Sequence, residues 1–251
     1  MKTTKKVLYI GSILVLISFI SCKEKPITIH MIGDSTMANK PDPEKNPERG
    51  WGQMLHLFFN KNITIKNYAK NGRSSRSFMN EGLWDSVKSN LKKGDYVFIQ
   101  FGHNDQKDYD PNRYSNPITG YRKNLETYVM EARSYGAIPV LITSIVRRKF
   151  NDDTTLVDTH GLYPLITRQA ALEHNVYFID LQLKTEEFVI KLGPEKSKDM
   201  YLWIEAGTSE YIPDGRQDNT HLSVYGAKEV CKLAIECIQE KDIPLKNYIK
   251  K

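Results

Sequence analysis

Cysteine is scarce in this chain, with three among 251 residues. Cys231 and Cys237 fall six residues apart in one predicted helix, which points them about 240° away from each other. They cannot pair locally. We read both as unpaired thiols, with Cys231 in the core; the cysteine content offers neither a disulfide framework nor a zinc site. A strong charge is also missing. The formal charge is +6, and setting aside Lys2, Lys5 and Lys6 of the leader leaves +3, too mild to argue for nucleic acid. There is no Gly-rich phosphate loop and no His/carboxylate spacing of a metal site, so no cofactor is implied. The G-x-S-x-G elbow of one large serine-hydrolase class is absent. No repeat, low-complexity tract or linker divides the chain, which predicts a single domain over residues 23–251.

The one long apolar run is Val7 to Ile20, too short to span a bilayer comfortably. Preceded by lysines, it has the layout of an export signal. Phe19-Ile20-Ser21-Cys22 follows, and resembles the lipobox of bacterial lipoproteins, with phenylalanine where leucine is usual. That resemblance implies a signal segment ending at Cys22, removal of the residues before that cysteine, lipidation of Cys22 as the new first residue, and an exported lipoprotein facing the periplasm or the cell surface. Several acyl chains would hold it firmly on the membrane.

Beyond the leader, short apolar strands alternate with helical patterns. Strands are predicted at Ile27–Gly33, Ile63–Tyr68, Val97–Phe101, Pro139–Thr143 and Val176–Ile179. Helices are predicted at Trp51–Asn60, Leu83–Leu91, Ile118–Tyr135, Tyr163–His174, Leu181–Leu192 and Val224–Ile238. The last carries one stripe of Val224, Ala227, Cys231, Ala234, Ile235 and Ile238. This order gives an α/β fold, a three-layer α/β/α sandwich on a five-stranded parallel sheet. Two loops are longer than such a fold needs, Arg147–His160 and Gly193–Gln217.

Four polar stretches sit at predicted strand ends or helix starts: Gly33-Asp34-Ser35-Thr36, Asn71-Gly72-Arg73-Ser74, Gly102-His103-Asn104-Asp105 and Asp218-Asn219-Thr220-His221. Each alone is an ordinary turn or cap. Together, in this order, they resemble the four blocks of the SGNH (GDSL-like) hydrolases. The Gly-Asp-Ser-Thr, Gly-Arg-Ser-Ser-Arg-Ser and Gly-His-Asn-Asp wording is most similar to the rhamnogalacturonan acetylesterase group. The chemistry agrees. A serine hydroxyl is a weak nucleophile until a base takes its proton and an acid orients that base. Ser35 is the candidate nucleophile, His221 the base, and Asp218 the acid that fixes its tautomer, on one turn before the last helix.

The resemblance further implies a flavodoxin-like sandwich and an oxyanion hole from the backbone N–H groups of Ser35 and Gly72 and the side-chain amide of Asn104. It implies a serine carbohydrate esterase that removes O-acetyl groups from a plant cell-wall polysaccharide, rhamnogalacturonan in pectin. Another SGNH esterase acting on acetylxylan, a lysophospholipid or a thioester stays open, as does an envelope-polymer O-acetyltransferase or an inactive carbohydrate-binding protein. The expected partners are an acetylated polysaccharide or oligosaccharide and, through the lipid, a membrane. Arg73, Arg76, Arg147, Arg148 and Arg216 follow or approach sheet-edge positions, and with His103 and His160 are candidate substrate contacts for a polyanion. His30, His56 and His174 are expected to be structural, and Asp34 and Asp105 to brace their loops.

Overall fold

Which way each side chain of the central strands points decides the layers. In the computed structural model, which describes residues 26–152 and 154–250, β1 runs Ile27–Gly33, β2 Ile63–Asn67, β3 Tyr96–Gln100, β4 Ile138–Ile142 and β5 Tyr177–Ile179. All pair in parallel, in the order β2-β1-β3-β4-β5. Every residue of β3 is buried, as a strand covered on both faces requires. Alternate residues serve opposite sides. Ile29, Met31, Tyr96 and Phe98 face one core, and Ile32, Val97, Ile99 and Phe101 the other. The leader and Cys22 lie outside the described residues.

Helices cover both faces. On the first core lie α1 (Trp51–Met54), α6 (Leu181–Lys196) and α7 (Val224–Glu240); α2 (Ser75–Asn80), α3 (Leu83–Lys88), α4 (Arg122–Ser134) and α5 (Tyr163–Glu173) cover the second. This is the expected three-layer sandwich. In α7 the stripe is buried from Ala227 to Ile238, and Cys231 on it and Cys237 off it are both buried free thiols. Only Val224 at its start is less covered.

Three local expectations change. The predicted Trp51–Asn60 helix is α1 plus a 3-10 turn over Leu55–Phe58, because Phe59 turns extended to bridge Ile249. The short helix α2 was not expected; six residues are too few to show a period, and a reciprocal Ser74–Ser77 capping box starts it. The long predicted loop Gly193–Gln217 contains β6 (Tyr201–Ile204) and the start of β7 (Arg216–Leu222), which pair as a two-stranded antiparallel sheet. Gly193, at φ +74, breaks the helical path of α6 where its predicted end lay.

Candidate active site

The strand order reverses between β1 and β3, and ligands of such sheets sit at the carboxyl ends beside that switch. Gly33 and Gln100 are register partners there. The need for glycine at 33 is close approach: a Cβ would lie 2.7 Å from the Gln100 carbonyl oxygen. Asp34 follows, fully buried, and its Oδ1 accepts from the Thr36 amide at 2.9 Å and hydroxyl at 2.8 Å. Burial favours the neutral acid, but the bonds from His103 and Thr36 outweigh it and hold Asp34 below the usual carboxylate range. Asp34 thus braces the turn that presents half-buried Ser35.

His221 Nε2 lies 2.9 Å from Ser35 Oγ, and His221 Nδ1 lies 2.7 Å from Asp218 Oδ2. The other Asp218 oxygen accepts from the backbone N–H of Thr220 at 2.8 Å and of His221 at 3.0 Å. Burial opposes its ionisation, yet the His221 ring and these amides prevail and bring Asp218 down to about 2. The sequence reading put both residues on a turn before α7; they lie within β7. Residues three apart on a regular strand face opposite ways. Here Tyr201 pairs with Leu222 while Leu202 pairs with Asp218, so Asn219, Thr220 and His221 bulge out of register. The bulge turns the Asp218 carboxylate and the His221 ring to one side. Asn219 pins it, accepting from Trp203 Nε1 at 2.8 Å and Arg148 Nη1 at 3.0 Å.

Across the cleft, Gly72 and Asn104 complete the set. Gly72 has φ +75, a conformation that favours glycine, and a Cβ there would meet only the Arg113 guanidinium, 3.8 Å away. Backbone conformation rather than crowding thus favours glycine at this position. Asn104 Nδ2 donates to the Arg73 carbonyl at 3.1 Å, tying the third block to the second. Asp105, buried beneath, accepts from the amide and hydroxyl of Ser75. Burial pushes its carboxyl up to about 7 against those bonds.

Ser35, Asp218, His221, Gly72 and Asn104 line one open cavity of about 650 Å³. Of the seven candidate substrate contacts, His103, Arg147 and Arg216 also line it. The other four do not. Arg73 pairs with Glu81 at 2.8 Å, and Arg76 donates to the Tyr114 carbonyl. Arg148 is 8% exposed, bonded to Ser197, Asn219 and the Pro194 carbonyl and stacked on Trp203; it fastens the bulge. His160 is buried edge-on behind His103, ring centroids 4.7 Å apart. Burial drives its pKa well down and that of His103 down too, against Asp34. His30 is buried on Asp95 at 3.0 Å, as expected, whereas His56 is exposed, not packed. Two cleft residues escaped the sequence reading, Lys107 and Glu48. A lone lysine past a turn and a glutamate in a polar loop carry no motif. Among the described residues no group of three His, Cys, Asp or Glu side chains could hold a metal ion.

The model of the GDSL-like lipase/acylhydrolase family matches residues 31–228. A rhamnogalacturonan acetylesterase of Bacillus subtilis (strain 168) is 39% identical over 226 residues, 90% of this chain and 95% of that protein. Among solved structures, the Bacillus subtilis protein YxiM superposes with a TM-score of 0.75 at 23% identity, covering 88% of this chain and 58% of that one. An acetylxylan esterase of Geobacillus stearothermophilus gives 0.59 at 18% identity, covering 88% and 96%. At these identities the two structures speak for the fold alone.

Proposed function

The chain belongs to the GDSL-like lipase/acylhydrolase family and is a serine ester hydrolase, and we propose that it removes O-acetyl groups from a pectic polysaccharide, rhamnogalacturonan. The observation that carries the chemistry is the unbroken relay Ser35–His221–Asp218, at 2.9 and 2.7 Å, opening on a solvent-accessible cleft. In the proposed reaction His221 Nε2 takes the Ser35 proton as Oγ attacks the acetyl carbonyl carbon. The Ser35 and Gly72 amides and Asn104 Nδ2 stabilise the resulting oxyanion. His221 then gives its proton to the sugar oxygen, which leaves as an alcohol. Water, deprotonated by the same histidine, attacks the acetyl-serine and releases acetate. Asp218, ionised down to about pH 2, holds the Nδ1 proton throughout.

The likeness to a rhamnogalacturonan acetylesterase along nearly the whole chain supports the sugar assignment. Lys2, Lys5 and Lys6, the Val7–Ile20 run and Cys22 support export as a lipoprotein, with the enzyme held on a membrane facing the periplasm or the cell surface. The test is acetate release by the protein from Lys23 onward, across acetylated rhamnogalacturonan, acetylxylan and a small acetyl ester. Rhamnogalacturonan should be the best polymer, and Ser35→Ala should abolish release from all three while folding normally. Turnover in that variant would remove the nucleophile; equal rates on both polymers would remove the pectin assignment.

A further inference from the structure

Charge in the cleft is unevenly compensated. On one flank Arg216 approaches Glu48 at 3.7 Å, and buried Lys40 holds the same carboxylate at 2.7 Å. On the other flank Lys107 and Arg147 line the cavity together, both half-buried. Among the described residues Arg147 donates only to neutral carbonyls, those of Thr159 at 3.0 Å and His103 at 3.4 Å. Among the described residues the Lys107 ammonium has neither a hydrogen bond nor an ion pair. The carboxylates nearest to them electrostatically are engaged elsewhere: Asp34 by Thr36 and His103, Asp110 by Arg113. Two neighbouring cations repel each other, and partial burial without a counter-ion costs free energy. An uncompensated pair of this kind in a cleft marks a candidate site for an anion.

We propose that Lys107 and Arg147 form a subsite for a carboxylate of the substrate, gripping a uronate of the sugar chain while its acetyl ester lies at Ser35. This deepens the pectic reading and rests on it for the identity of the acid. Arginine supplies a planar fork for the two carboxylate oxygens and lysine a mobile point charge. The opposite flank, already neutralised by Glu48, is left to hydroxyl-bearing sugar. One cleft thereby gains a polarity, and the polymer a direction.

The experiment uses unacetylated oligogalacturonate as an inhibitor of 4-nitrophenyl acetate hydrolysis, alongside the same oligomer methyl-esterified. The free acid should inhibit competitively, the ester at least tenfold more weakly. Lys107→Ala should raise the inhibition constant of the acid roughly tenfold, about 1.4 kcal/mol, and Lys107→Glu should raise it further. Arg147→Ala should act in the same direction, but its bonds to two loops make Lys107 the decisive position. Equal inhibition by acid and ester, no inhibition by either, or an inhibition constant indifferent to Lys107 would overturn the subsite. Should the protein ignore rhamnogalacturonan while this pattern holds, the sugar assignment falls and the carboxylate site stands.

Discussion

At the scale of single residues, Asn104 shows how one amide can serve both structure and chemistry. A side-chain amide has two N–H groups. One is held by the Arg73 carbonyl at 3.1 Å, which fixes the plane of the amide and aims the other at the cleft. A donor so fixed needs no reorganisation as charge develops on the ester oxygen. Asn104→Ala should therefore lower kcat by roughly 10²–10³ with a much smaller change in KM. Steady-state kinetics on a small acetyl ester checks this; a large KM effect with kcat intact would make Asn104 a ground-state binder instead. Residues of this kind were legible in the sequence because their chemistry resides in their identity: a serine, a histidine, an aspartate and an asparagine in ordered blocks. Lys107 was not, since nothing local separates a cleft lysine from a solvated one. Arg73, Arg76 and Arg148 misled for a related reason, whereas Arg147 and Arg216 do line the cleft. Position near a sheet edge says where the backbone runs, but Arg73 and Arg148 found carboxylate or carbonyl partners that only the fold brings near.

At the scale of elements, the bulge in β7 is what makes a three-residue spacing catalytic geometry. Its anchor is Asn219, whose Oδ1 accepts from both Trp203 and Arg148 and whose carbonyl accepts from the Arg148 amide at 2.9 Å. Asn219→Ala leaves two donors short of a partner, a cost of about 1–3 kcal/mol for each group wholly desolvated. It also frees the backbone that carries Asp218 and His221, and displacements near 1 Å can cost about 10² in rate. The expected outcome is lower stability in denaturant unfolding together with a fall in kcat of at least tenfold on every ester. Full activity in a destabilised variant would show that the bulge is held by other contacts. The five core strands and the longer helices were legible because their periods survive in the sequence. The β6–β7 pair was not. Arg216–Leu222 reads Arg-Gln-Asp-Asn-Thr-His-Leu, with one apolar residue, and a bulge erases the alternation that would mark a strand. Likewise α2 is defined by its Ser74–Ser77 cap and by the Asp105 carboxylate that accepts from Ser75, both tertiary or terminal features without periodicity.

At the scale of the whole molecule, the lipoprotein proposal gives the sandwich and the first 22 residues separate tasks. The sheet's switch point sets the site, and among the described residues no helix is long and apolar enough to cross a membrane. The proposal places anchoring on the leader and Cys22. A single acyl chain gives only marginal, reversible binding, while two or more hold a protein firmly. If both proposals hold, the enzyme would meet its polymer at the membrane surface, and an acidic chain would approach the cationic flank of the cleft faster at low salt. Replacing Cys22 by Ala should stop incorporation of labelled fatty acid in the producing cell and move the enzyme from the membrane fraction. Acetate release by the detached protein in solution should be retained, because Cys22 precedes the first residue of the sheet, Ile27, and no part of the Ser35–His221–Asp218 relay depends on it. Equal labelling of both proteins, or none in either, would remove the lipoprotein assignment and leave the hydrolase untouched.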